Sequence, residues 1–160
     1  MSSKIYYHDS NYTVVISNEI IEQMVSLCRD KHPLETGGIL IGSYTEDYQC
    51  ALINYITGPP KDSRHRTHEF YRGTHKLKSL LSSFWDQGHF YLGEWHFHPN
   101  SSPTPSWVDR KQMRQISSDA NYKCPEPILF ILGGDPSTGW QTSCSIFPKD
   151  ENCIILMEDE

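Results

Sequence analysis

After Ser17, the apolar residues Ile20, Ile21, Met24, Val25 and Cys28 recur at helical spacing. The pattern predicts an amphipathic helix opened by that serine and ended near His32-Pro33, because a proline biases the residue before it out of helix. Gly37 to Gly42 then forms an apolar run bounded by glycines. With Cys50 to Ile56 across the polar turn at Glu46-Asp47, it reads as a strand hairpin closed by Gly58-Pro59-Pro60. A polar loop rich in histidine and arginine runs on to about Arg72. Leu77, Leu80, Leu81, Phe84 and Trp85 repeat the helical period and stop at Gly88. Phe90 to His98 is a strand broken by Pro99, and the proline-containing stretch from Asn100 to Pro105 is loop. Ser106 caps a third helix through about Ser118, with Asp109 at its third position as in a capping box. Pro127 to Leu132, Trp140 to Phe147 and Cys153 to Met157 supply further strands.

This order predicts one α+β domain over residues 1–160, a mixed β-sheet flanked by helices in a three-layer α/β arrangement, with no internal repeat or linker. The apolar fraction of 37% is enough for a core and excludes a disordered chain. The net charge is −6, and the densest basic stretch, Lys61 to Arg66, is short and interrupted by Asp62. Nucleic acid is therefore not expected as a partner. No apolar run has the length of a signal peptide or a membrane span, so a cytoplasmic protein without membrane association is expected. The five cysteines are scattered without a C-x-x-C and read as reduced thiols.

The chemistry concentrates in Glu94-Trp95-His96-Phe97-His98-Pro99 and in Ser106-Trp107-Val108-Asp109. Histidines at i and i+2 on a strand share a face, which brings two imidazoles to one spot. A carboxylate from the first turn of the next helix is a natural third ligand, leaving the fourth position of a tetrahedral zinc open to water. Alone, an H-x-H pair is a weak signal in a chain with eight histidines, and His8, His32, His65, His68, His75 and His89 read as surface or loop residues.

The full spacing, His96-x-His98, seven residues, Ser106, two residues, Asp109, resembles the signature of the JAMM (MPN-plus) metalloproteases. Leu34-Glu35-Thr36-Gly37-Gly38 resembles the segment that carries that family's catalytic glutamate ahead of a glycine-rich strand. The resemblance spans about Ile16 to Pro148 and is closest to the compact bacterial type. It implies a single MPN/JAB-like domain with one zinc ion held by His96, His98 and Asp109. It also implies Glu35 as general base and Ser106 as donor to the oxyanion.

The activity so implied is cleavage after the C-terminus of a ubiquitin-like protein, or of a protein conjugated by a ubiquitin-like system in anti-phage defence. Processing of a ubiquitin-like sulfur carrier is the alternative within the family, and a non-catalytic MPN interaction module the alternative outside catalysis. The family's layout places residues 60–72 and 121–125 beside the site. Phe97 stands where many members carry a small serine or threonine, and its side chain is expected on the opposite face of the sheet.

Overall fold

The protein is described here from a computed structural model covering residues 2–160. An antiparallel hairpin, β1 (Ser3–His8) and β2 (Tyr12–Ser17), precedes the first predicted element. Ser17 then caps α1 (Asn18–Lys31) by accepting a hydrogen bond from the Ile20 amide, the expected satisfaction of an orphan donor at a helix start. The strands β3 (Gly37–Tyr44) and β4 (Cys50–Ile56) pair as the predicted hairpin.

The polar loop beyond them is more ordered than its composition suggests. It contains a miniature hairpin, β5 (Arg64–His65) with β6 (Phe70–Tyr71). There follow α2 (Leu77–Trp85), β7 (Phe90–Pro99), α3 (Trp107–Ser118), β8 (Ile128–Asp135) and β9 (Gly139–Ile146). The last predicted strand divides into β10 (Ile154–Ile155) and β11 (Met157–Glu158).

The main sheet has the order β10-β9-β8-β7-β3-β4-β2-β1-β11, parallel between β2 and β4 and between β7 and β8. Its two ends meet. β10 pairs with β9 at one end and β11 with β1 at the other, and only the buried Leu156 separates them in the chain. Tyr6 of β1 shares a 2.7 Å hydrogen bond with Thr142 of β9 and packs edge-on against Phe130 of β8. The mixed sheet with flanking helices is therefore as predicted, but the three-layer arrangement gives way to a large curled sheet. Strand twist accumulated over so many strands curls the sheet until its edges can be strapped together, giving a nearly barrel-like body.

The inner face of the curled sheet buries Val14, Ile16, Leu40, Ile53, Leu92, Trp95, Phe97 and Phe130 against Ile20, Met24 and Cys28 of α1. The outer face sets Ile39, Ile41, Leu129 and Ile131 against Leu77 of α2 and Met113 and Ile116 of α3. The strand β7 serves both faces, and a bulge at Gly93 changes its phase. Gly93 has φ +154°, and a Cβ there would stand 1.9 Å from the Ile128 carbonyl oxygen, so only glycine fits. Because of the bulge, Tyr91 and Glu94 come to lie together: the Tyr91 hydroxyl donates a very short hydrogen bond to the Glu94 carboxylate.

Candidate active site

His96 and His98 alternate outward along β7 while Phe97 is wholly buried in the inner core, stacked near Trp140 and His32. The bulk of Phe97 is thus absorbed on the far side of the sheet from the imidazoles. Asp109 reaches the same spot from the first turn of α3, where a complete capping box fixes it. The Ser106 amide donates to Asp109 Oδ2 at 2.8 Å, and the Asp109 amide donates to Ser106 Oγ at 3.1 Å. His96 donates through Nδ1 to Asp109 Oδ1 at 2.9 Å, and His98 through Nε2 to Oδ2 at 3.0 Å.

Glu35 lies in the connection between α1 and β3, with Oε1 4.0 Å from His98 Nε2. Its main chain is clamped on both sides by the miniature hairpin: its amide donates to the Arg66 carbonyl at 2.7 Å, and His65 Nδ1 donates to its carbonyl at 2.9 Å. Gly37, two residues on, lets β3 approach the site. A Cβ there would meet the Trp95 carbonyl oxygen at 2.3 Å, Phe70 Cε2 at 2.9 Å and the His96 ring at 3.0 Å. The five residues singled out from the sequence, Glu35, His96, His98, Ser106 and Asp109, therefore gather at one end of β7 and the start of α3.

Burial shapes their charges. Loss of water pushes the Glu35 carboxyl up to about 7; the nearby Asp109 adds to this, and His98 and His96 oppose it. Burial would raise Asp109 too, but hydrogen bonds from His96 and His98 and from the Ser106 amide hold it well below the usual carboxylate range. His98 loses by burial and gains more from Asp109 and Glu35, so its proton is held above the ordinary histidine value.

The fit to a metal rests on these donors. As they stand, the side chains close on one another by hydrogen bonds, and among the described residues no group of three or more His, Cys, Asp or Glu is arranged to hold a metal ion. Their chemistry nonetheless suits zinc. The nitrogen-to-oxygen distances of 2.9 and 3.0 Å are close to the ligand–ligand separation of about 3.3 Å that a tetrahedral zinc with bonds near 2.0–2.1 Å requires. His98 Nδ1 faces the Ser102 carbonyl at 3.2 Å, the outer hydrogen bond that commits Nε2 to the centre.

Several neighbours carry no local signature in the sequence. His65, expected at the surface, holds Glu35 and stacks on Phe70, whose ring stands edge-on to His96 at 5.6 Å. His89 is likewise half-buried, between Tyr55 and Phe84. Arg72 and Glu94 form a buried ion pair beside the histidine strand. The expected flank of residues 60–72 is thus in place around Glu35. Residues 121–125 lie farther along, lining a groove of about 1070 Å³ with Trp85 and Tyr48, and none of the five convergent residues borders it.

Residues 17–145 match the model of a family described as prokaryotic homologs of the JAB domain. A CD-NTase/cGAS isopeptidase of Enterobacter hormaechei subsp. hoffmannii is 47% identical over 147 residues, 92% of this chain and 82% of that protein. A CD-NTase/cGAS isopeptidase of Escherichia coli is 34% identical, with 84% of each chain covered. A probable metalloprotease of Sinorhizobium fredii, y4qB, is 29% identical, with 76% of each covered. Among solved structures, the solution structure of protein DSY2949 from Desulfitobacterium hafniense superposes with TM-score 0.62 at 18% identity, over 89% of this chain and 86% of the other, a likeness of fold.

Proposed function

The chain belongs to the prokaryotic homologues of the JAB domain, and from that membership we propose that it is a zinc-dependent isopeptidase acting on a conjugated protein. The names of its relatives point to a CD-NTase-type protein as one partner in the conjugate. The observation that carries the reading is the convergence of a half-buried carboxylate, Glu35, on His98 at 4.0 Å, with Asp109 bridging both histidines.

In this reading His96, His98 and Asp109 hold one zinc ion, which supplies Lewis acidity and a water acidified towards neutral pH. Glu35 accepts the proton of the attacking water and delivers it to the departing lysine amine. Burial raises the proton affinity of this carboxyl, which favours uptake of the proton, and the positive charge of a bound zinc would oppose that rise and favour its return. Ser106 Oγ already accepts from the Asp109 amide, and its own proton remains to donate to the oxyanion as the carbonyl becomes tetrahedral. The isopeptide C–N bond breaks, leaving a free carboxylate on the tail and a free amine on the target. No helix is long and apolar enough to cross a membrane among the described residues.

Ser106→Ala separates two contributions of one hydroxyl. Loss of the cap is expected to cost about 1 kcal/mol in denaturant unfolding. Loss of the oxyanion donor is expected to lower kcat on the order of a hundredfold with zinc retained. A variant that loses stability alone would confine Ser106 to capping.

The function is tested with three substrates: an isopeptide-linked conjugate of a CD-NTase-type protein, the corresponding linear fusion, and casein. Zinc-loaded protein is expected to release the conjugate at the junction, and chelation to abolish release. Efficient digestion of casein with no preference for the junction would mean a broad protease. Zinc binding without hydrolysis of any of the three would mean a binding module.

A further inference from the structure

Arg72 follows directly on β6 and is buried, though nothing in its surroundings is part of the chemistry proposed above. Its guanidinium makes contacts in different directions. Nε donates to Glu94 Oε1 at 2.5 Å, Nη2 to the Tyr122 hydroxyl at 2.6 Å, and Nη1 to the Gly73 carbonyl at 2.9 Å. Glu94 stands two residues before His96 on β7, and its other oxygen is taken by Tyr91. Gly73 is in turn fastened to Ser63, which precedes β5, by a 2.9 Å bond to its hydroxyl. Arg72 thus joins the base of the miniature hairpin to the strand that carries the histidines.

The other end of that hairpin holds Glu35 through Arg66 and His65. Among the described residues, Glu35 makes no side-chain hydrogen bond of its own; its nearest charged neighbour is His98 at 4.0 Å. What sets its carboxylate against the histidines is therefore the placement of the hairpin.

We propose that Arg72 is a positioning residue: by binding Glu94 and Tyr122 together it fixes the β5–β6 hairpin on β7, and through the hairpin it sets Glu35 at working distance from His98. A planar fork that bonds in several directions is required. A lysine keeps the charge but is a single point donor and cannot span Glu94, Tyr122 and Gly73 together. The Arg72 and Glu94 side chains are only 7% and 4% exposed, which makes the link rigid because both are largely shielded from water, although Arg72 borders the groove lined by residues 121–125.

The activity arm of this inference rests on the isopeptidase reading with Glu35 as base; its structural arm does not. Arg72→Lys is compared with Tyr122→Phe, which removes one of the guanidinium's bonds and keeps the ion pair, so that a folded variant is available if the first is unstable. Amide hydrogen exchange in the zinc-loaded protein is expected to speed up about tenfold at Glu35 and Arg66 in Arg72→Lys, and less in Tyr122→Phe, with α1 and β8 unchanged. On the conjugate, kcat is expected to fall about tenfold or more, with KM and zinc content held, since a small misplacement of a reacting group is costly.

In a Glu35→Gln background the same Arg72→Lys change is expected to cost no further turnover. Unchanged exchange at Glu35, or an equal loss in both backgrounds, would overturn the positioning role. A wild-type protein that failed to hydrolyse the conjugate would sink the isopeptidase reading, and the exchange measurement would still decide whether Arg72 holds the hairpin.

Discussion

Glu35→Gln is expected to bind zinc like the wild type, melt within a few degrees of it, and lose on the order of 10³-fold in kcat. The amide is nearly isosteric and keeps the main-chain clamp from Arg66 and His65 intact. It removes the one group near the histidines whose proton affinity has been raised into the neutral range by burial, with Asp109 adding its charge. Neither uptake of a proton from water nor its return to the leaving amine is then available. The loss should appear in kcat and not in KM, because substrate contacts are untouched. Stopped assays of conjugate hydrolysis with parallel metal analysis make the measurement. Turnover at the wild-type rate would place the base elsewhere.

His96→Ala should act one stage earlier, on the metal itself. Zinc per chain is expected to fall from about one to near zero after dialysis, with activity lost in step, as removal of one of three protein ligands requires. The vacancy is felt beyond the metal. Asp109 loses the partner at its Oδ1, and Phe70 loses the ring against which it stands. Leaving Asp109 in a buried site with Oδ1 unpaired should also lower the melting temperature, whereas Glu35→Gln should not. The two variants thus separate a metal ligand from a base by metal content, and agreement between them in zinc stoichiometry would remove the distinction.

The elements that position the site were legible because each is announced locally. Ser17 and Ser106 are helix caps with an apolar period behind them, and both cap as expected. The alternation His96, Phe97, His98 gives the two faces of one strand, and the structure buries Phe97 inside while turning the histidines out.

What escaped the sequence depends on partners far along the chain. Arg72 and Glu94 are 22 residues apart, and neither residue is unusual until the fold brings them together. His65 resembles any loop histidine until Glu35, 30 residues earlier, is laid against it. The strands β5 and β6 have only two residues each, too few for a period to be read. The curl of the sheet was hidden for a related reason. Twist is a property of paired strands, and the residues that fasten the two edges, Ile154 to Glu158, read locally as a single short strand.

That C-terminal strap also dictates an order of events in folding. Lys4 pairs with Glu158, 154 residues away, and β1 and β11 lie side by side although nearly the whole sequence separates them. Contacts of such sequence separation are slow to form, because the entropy of closing the intervening loop must be overcome before the pairing returns anything. The other pairings of the sheet, from β1–β2 through β8–β9, close without residues 154–158. Without those residues in place, Tyr6 and Phe130 would face one another across an open seam instead of a sealed core. A chain cut back to residue 153 should therefore carry the histidine strand in place yet remain open along that seam, exposed to proteases and to its neighbours.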